Sequence, residues 1–575
     1  MPKIILPFGE QVDGRKKGNR VSTELYQQLP EPFKETCENN SHLVDYIGMC
    51  VAAELEIPEF VTKLKRSDGD REVKNLIYQA SDNIFVHIFS SASNDRDVYI
   101  PIEPGLTEDL SQIMLDVESR LLDIAGDLDE AETDEERTEG ILKCLKKVCT
   151  IGRNSSGPNQ AGGKSDSSNK QKVRVTKEQF DALQYLLIRD KIGMGAMEPL
   201  IVDPNIEDIS CSGIGPIFVE HKIFKSLASA IVFETHEELD DFVLRLSEHI
   251  KKPVTLRKPI VDATLPDGSR INIVFGREIS RRGSNFTIRK FAGIPLSIME
   301  LIEFGSINYE MAAYLSLIIE DGMNVFVVGE TASGKTTLLN AITTFIPINN
   351  KIVSIEDTPE LQVPHSNWLR EVANASGGDD KEAKVSMFEL LKAALRQRPN
   401  VIVIGEIRGE EGNIAFGAMQ TGHAVMSTFH AASVEKVIQR ITGNPISVPK
   451  THVDNLNVVV VQNAVKLPNG KNGRRACSIS EIVSYDPPTE SFNYVEVFRW
   501  DPATDQFNFV GSRNSYLLED RIAIRRGIPA DRKWEIYNVL DRRARILERL
   551  HKDKGVTNFY ELLKILAAAQ EQKLF

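Results

Sequence analysis

The sequence predicts an α/β protein: a parallel-sheet core built on a phosphate-binding loop, an α+β domain before it, and an extra N-terminal α/β extension. Three observations carry this. Asn324–Asn340, NVFVVGETASGKTTLLN, sets a short β-branched apolar run, a glycine-rich loop and an apolar helix pattern in succession. After Lys335, helix and strand signals alternate, as they do in a parallel sheet with covering helices. Gly152–Lys172, GRNSSGPNQAGGKSDSSNKQK, is a polar stretch whose only apolar members are Pro158 and Ala161, and it reads as a flexible linker. The expected segments are therefore 1–150, a linker at 151–172, an α+β domain at 173–293, the core at 294–510 and a helical region at 511–575.

Composition narrows the classes. A chain of 575 residues is long enough for three or four cores, and 26% charged with 7% aromatic residues is ordinary globular usage. A net charge of −13 argues against a protein that coats nucleic acid. The cysteines at 37, 50, 144, 149, 211 and 477 form no CxxC pair, so neither a disulfide framework nor a zinc ribbon is expected; reduced thiols imply a cytoplasmic protein. No run of about 18 apolar residues and no signal-peptide core is found, so a membrane role is expected to go through a partner.

In chain order, residues 1–100 read as mixed α/β, with strands at Ile84–Phe89 and Asp97–Ile102. Residues 106–149 read as helical, interrupted by the acidic run Asp127–Glu136, which is either a solvated face or a contact for a basic surface. Beyond Val173, strand signals fall at Ile217–His221, Arg270–Phe275 and Asn285–Phe291, with a hairpin turn at Leu265–Ser269. From Lys251 to Lys290, ten Lys/Arg face three acids, a net of +7 in an acidic chain. Next to a nucleotide loop this suggests phosphate chemistry; a solvated basic face is the other reading. The tail reads as two helices split at Gly555, with Asn558 and Glu561 spaced as a helix start.

Four elements carry chemistry. In the loop, Gly329 and Gly334 let backbone N–H groups close on phosphate, with Glu330, Thr331, Ala332 and Ser333 between them. Lys335 supplies a point charge, Thr336 a hydroxyl for Mg²⁺, and Thr337 continues into a helix whose positive end faces the anion. In VIVIGEIRG (Val401–Gly409), Glu406 stands just past a buried strand, where it can orient or deprotonate water. The metal-holding Asp common at the preceding position is here Gly405, and helix capping is the competing role for Glu406. In SIEDTPE (Ser354–Glu360), Glu356 or Asp357 could face the γ-phosphate or the metal's waters, or cap a helix. In GHAVMSTFHAAS, His430 follows an apolar strand, placed to sense γ-phosphate or contact a neighbour; a satisfied core histidine is the bland alternative, and His423 lies upstream.

Together these elements resemble the secretion and type IV filament assembly ATPases, through GETASGKTT, LRQRPNVIVIGEIRGEEG and AMQTGHAVMSTFHA; RDKIGMGAMEPLIVDPNIEDISCSG looks like the archaeal branch. The resemblance covers about 173–510. It implies a RecA-like core, ATP with Mg²⁺, and a cytoplasmic hexamer, peripheral at the inner face of the cell membrane through a polytopic platform protein, without nucleic acid. The implied output is assembly of an archaeal type IV pilus-like filament or archaellum, or a related secretion step. The family's arginines from the preceding domain match Arg270 and Arg289, which would stabilise charge on the transferring phosphate; pairing with Asp262 and Asp267 is the competing account. Two rivals stay open: a nucleic-acid translocase on the same core, and a scaffold that binds nucleotide without hydrolysis.

Overall fold

The computed structural model describes residues 2–8, 29–90, 96–107, 109–122, 133–152, 172–265, 267–291, 293, 295–373, 385–572 and 575. The chain divides into two compact units, 1–292 and 293–575.

In the first unit the described strands are β1 (Lys3–Ile4), β2 (Glu59–Val61), β3 (Asn75–Ser81), β4 (Ile84–Phe89), β5 (Val98–Ile102), β6 (Cys149–Ile151), β7 (Val173–Val175), β8 (Ile206–Cys211), β9 (Gly215–His221), β10 (Lys225–Phe233), β11 (Ile260–Thr264), β12 (Arg270–Val274) and β13 (Asn285–Arg289). Eleven of them form one sheet, in the order β11-β12-β13-β8-β9-β10-β5-β4-β3-β2 with β1 also on β10. Period-two alternation decides what each strand buries. Val261 and Ala263, Ile271 and Ile273, Phe286 and Ile288 all turn inward. The His236–His249 helix lays Leu239, Phe242, Val243 and Leu246 on that core, a single stripe at helical spacing. It starts at Thr235, whose Oγ1 accepts from Glu238 N at 3.2 Å.

The expected segmentation separates 1–150 from 173–293, but the sheet runs through both. β10 pairs in parallel with β5 and antiparallel with β1 along the same edge. Leu76, Tyr78, Val86, Ile88 and Tyr99 share one core with Ile206, Ile209, Val219 and Phe286. The tie has a polar centre. Asp203 is fully buried, and its Oδ2 accepts from Tyr78 Oη at 2.5 Å and Tyr99 Oη at 2.9 Å. The ends of the polar stretch are also stitched together, because β6 and β7 pair in parallel from Cys149↔Val173 to Ile151↔Val175. The linker itself, and Asp127–Glu136 up to residue 132, lie outside the described residues.

In the second unit the described strands are β14 (Val325–Val328), β15 (Ile352–Glu356), β16 (Trp368–Val372), β17 (Val401–Ile407), β18 (Ala424–Phe429), β19 (Val458–Lys466), β20 (Asn472–Asp486), β21 (Ser491–Asp501) and β22 (Gln506–Phe509), in the order β16-β15-β17-β18-β14-β19-β20-β21-β22. Pairing is parallel from β16 to β19 and antiparallel beyond. The inner parallel strands are apolar at consecutive positions because both faces are covered, whereas the edge strand β16 carries Arg370 and Glu371. Val325 and Val327 join the core under the Tyr309–Glu320, Ile536–Lys552 and Phe559–Glu571 helices, while Phe326 and Val328 join the core under Met387–Arg396, Glu411–Gln420 and Val434–Thr442. The C-terminal helices thus close one face of the sheet through Leu540, Leu547 and Leu562. The last helix starts as the spacing predicts, with Asn558 Oδ1 accepting from Tyr560 N and Glu561 N. No helix among the described residues is long and apolar enough to cross a membrane.

The shared sheet makes a prediction. Residues 172–575 expressed alone should be poorly soluble, because β10 loses both edge partners and Asp203 Oδ2 loses its two tyrosine donors while Oδ1 keeps those of Asn205; leaving a buried acceptor unsatisfied costs about 1–3 kcal/mol. Co-expressed residues 1–152 should co-purify with that fragment and restore it. A soluble 172–575 fragment with the melting temperature of the whole chain would show that the shared sheet adds nothing.

Candidate functional site

Because β14 lies between β18 and β19 in parallel, the chain leaves it at the carboxyl end of the sheet, where open α/β folds bind ligands. Gly329 passes so close to β19 that a Cβ would lie 1.9 Å from the Gln462 carbonyl oxygen. Ala332 (φ +61°) and Gly334 (φ +89°) turn the loop through left-handed conformations into the Lys335–Ile342 helix. Such a loop and the first amides of the helix make an anion-binding concavity. Ser333 is buried, and its Oγ has no hydrogen-bond partner among the described residues. Lys335 is also buried, and its Nζ donates to Glu330 O at 2.7 Å. Burial lowers the Lys335 pKa, and the nearby Glu406 carboxylate acts against that shift. Glu330, Thr331 and Ala332 are exposed; Thr336 and Thr337 are half-buried at the helix start. Arg474 on β20 donates from Nε to Ala332 O at 3.1 Å.

The acids come from the neighbouring strands. The β17–β18 register skips one residue between Ile404 and Glu406, so Gly405 is a bulge, and Thr428 Oγ1 donates to its carbonyl at 2.6 Å. The bulge re-aims Glu406. Arg408 Nη2 donates to Glu406 Oε2 at 2.5 Å, and Arg408 Nη1 to Asp357 Oδ2 at 3.3 Å. That hydrogen bond to Glu406 is the main cause holding the Arg408 pKa up. His430 Nε2 lies 2.9 Å from Glu406 Oε1, and burial lowers the His430 pKa, which keeps the ring neutral at neutral pH. Arg440 Nη1 donates to the His430 carbonyl, which fixes the histidine's backbone.

Glu356 sits apart from this group. Its Oε1 accepts from Glu360 N and Leu361 N, each at 2.7 Å, and its Oε2 from Arg370 Nε at 3.3 Å. It is 1% exposed, and burial raises its pKa to about 7 against those donors. It also explains Gly405, since a Cβ there would meet Glu356 Cγ at 3.2 Å. Of the two adjacent acids, Asp357 is the one that faces Arg408 and Glu406.

The structure therefore gathers Lys335, Glu406 and His430 at one sheet end, with Arg408 and Asp357, to which the sequence reading assigns no definite role. It leaves Glu356 holding the loop after β15. His423 bonds locally to Thr421 Oγ1. Arg270 and Arg289 lie on the first unit, directly opposite each other across β12 and β13, both exposed. Asp262 accepts from Asn272 and Asp267 from Ser269, and among the described residues neither acid forms an ion pair with these arginines. The nearest carboxylate to Arg289 is Asp208, at 3.9 Å. Arg408 was visible two residues past Glu406 in the same motif; Arg474 and Gln462, far along the chain, carried no local signal.

Open loop, orphaned Ser333 hydroxyl, buried lysine and a poised carboxylate fit the phosphates of a nucleotide, and the fold is a RecA-like α/β core. A family model described as Type II/IV secretion system protein matches residues 190–498, and the chain belongs to that family. An uncharacterized protein of Methanocaldococcus jannaschii is 43% identical over 545 residues, 94% of this chain and 97% of that protein. The type IV secretion system protein VirB11 of Brucella suis biovar 1 is 26% identical over 329 residues, 51% of this chain and 89% of that protein. Among solved structures, the ATPase DotB of Yersinia pseudotuberculosis is similar at 19% identity and a TM-score of 0.37, over 65% of this chain and 92% of its own.

Glu356 makes the site's stability depend on pH. Its folded pKa, about 7, lies above the ordinary 4.5, so between these values the folded chain keeps a proton that the unfolded chain has lost. The stabilisation is full below pH 4.5 and is lost as pH rises through 7, on the order of 3 kcal/mol in all. Glu356→Gln keeps an acceptor for the two amides and removes the proton. Its melting temperature relative to wild type should therefore climb from pH 5 to pH 8; a constant offset would count against a raised Glu356 pKa.

Proposed function

We propose that this chain hydrolyses ATP with Mg²⁺ and converts turnover into domain motion that assembles an archaeal type IV pilus-like filament or archaellum. The observation that carries it is Glu406, held at the Gly405 bulge between Arg408 and His430 and electrostatically coupled to the buried Lys335. Thr336 would hold Mg²⁺ through its hydroxyl and Asp357 would hold it through water; the ion, when bound, would supply charge neutralisation on the phosphates. Lys335 would give up the Glu330 carbonyl for the outer phosphates. Glu406 would take the proton of the attacking water on Oε1, which accepts no hydrogen bond among the described residues, with Arg408 holding Oε2 and His430 beside it.

Arg270 and Arg289 fit an anion-binding role. Like charges directly opposite on a sheet repel, so two exposed arginines in register gain most when they share an anion. As elements of the preceding domain they would act on the nucleotide across a domain boundary. Family membership supports a ring, proposed as a hexamer, with a polytopic membrane platform protein as partner and the inner membrane face as the place of work. A nucleic-acid motor is the reading that DNA-stimulated, salt-sensitive turnover would favour.

Glu406→Gln should keep ATP binding and lose turnover by about a hundredfold or more, while Lys335→Ala should also weaken binding. Turnover of Glu406→Gln at the wild-type rate, measured by phosphate release, would remove the base from Glu406 and make Asp357 the next residue to test.

Arg270→Ala and Arg289→Ala should fold and bind ATP but lose turnover by about 10³-fold or more, the scale of an arginine finger. Mixing Arg289→Ala with Lys335→Ala subunits should recover part of the activity. No recovery in confirmed rings would confine the arginine to its own subunit.

A further inference from the structure

The structure splits the +7 stretch in two. Arg270, Arg289 and Lys290 stand at one end of β12 and β13, with Lys290 turned onto the Leu200 and Asp203 carbonyls. The other seven cations lie at the opposite end, about 13 Å away at strand rise. There, two tight loops run side by side, joined where Phe275 N donates to Pro259 O at 2.8 Å. In the first loop Thr255 and Lys258 exchange backbone hydrogen bonds at 3.0 and 3.1 Å, so Leu256 and Arg257 form the tip of a closed two-residue turn. In the second, Ile279 and Ser280 both donate back to Gly276 O, and Gly283 donates to Ser280 O.

These rigid tips carry an unusual surface. Leu256 is 78% exposed, Ile279 55% and Ile260 53%. Around them Lys251, Lys252, Arg257, Lys258, Arg277, Arg281 and Arg282 are all exposed, against the single acid Glu278 within the two loops, a net of +6. Arg277 reaches Glu237 at 3.6 Å, and Lys252 donates to the Asp262 carbonyl. Lys251, Arg257, Lys258, Arg281 and Arg282 have no ion-pair partner among the described residues.

We infer that this end of the first unit docks directly on an anionic lipid bilayer. Aliphatic side chains held on turn tips and ringed by unpaired cations are the chemistry of interfacial binding: the apolar atoms enter the headgroup boundary and the cations meet anionic headgroups. The surface projects rather than forming a groove, which suits a flat bilayer better than a partner helix. The contact is independent of the nucleotide site and needs no membrane-spanning partner, in contrast to the expectation from composition.

The test is flotation of the whole chain with vesicles of phosphatidylcholine alone or with about 30% phosphatidylglycerol, at low and high salt. Wild type should float with anionic vesicles only, and salt should release it. Leu256→Gln, and separately the combined Arg257→Gln, Lys258→Gln, Arg281→Gln and Arg282→Gln variant, should each weaken binding tenfold or more. Both should keep the wild-type melting temperature, oligomeric state and basal phosphate release, because the altered side chains are exposed. Arg270→Ala, at the other strand end, should bind vesicles as wild type does. The inference fails if wild type ignores anionic vesicles, if neutral vesicles bind equally, or if the variants bind undiminished. It also fails if the variants change oligomeric state, which would assign the patch to a second copy, or if only an acidic peptide such as poly-glutamate is bound.

Discussion

The site depends on one extra residue in a ladder. A carboxylate at the end of a strand buried on both faces would ordinarily point into a core. The bulge at Gly405 breaks the β17–β18 register and turns Glu406 toward Lys335, Arg408 and His430. Glycine suits the position because a Cβ there would lie 3.2 Å from Glu356 Cγ, so that a larger residue would have to displace that side chain. One constraint thus accounts for both the position of Glu406 and the glycine that precedes it. It also separates the duties of two neighbouring acids, with Glu356 tying down backbone and Asp357 facing the cluster.

The second unit was legible where its signals are local. Four consecutive apolar β-branched or aromatic residues before Gly329, and again from Val401 to Ile404, read as strands covered on both sides, and they are. Glycine spacing identified the loop for the same reason: Gly329 touches a carbonyl, and Gly334 takes a conformation that costs other residues. Which way a strand-end acid faces was not legible, because periodicity ends where the strand ends. Arg474 was out of reach because its contact with Ala332 joins segments with no shared pattern.

The first unit misled more. A polar, glycine-rich stretch is good evidence of exposed chain, and it reads as a boundary between domains as well. Yet β5 and β10 pair in parallel across it, and parallel pairing leaves no turn in the sequence to announce it. Tyr78, Tyr99 and Asp203 meet only in three dimensions, and each alone reads as an ordinary strand or turn residue. The basic run conceals its geometry in a related way. Counted along the chain it is one cluster, but a hairpin places its members at opposite ends of the same strands.

The shared edge of β10 bears on ancestry. Its outer side is occupied in two short stretches, by β5 at Ala228–Ser229 and by β1 at Ile231–Val232. A shorter descendant that discarded the first 150 residues would inherit an open row of amides and carbonyls together with an interior aspartate that keeps only its Asn205 donors. Loss of the extension could then be tolerated only alongside changes near residues 203 and 228–232, such as a proline, a lysine or a neutral side chain. Gain or loss of this segment should therefore leave a paired scar in the lineage, readable as covariation between the chain's beginning and a strand more than two hundred residues later.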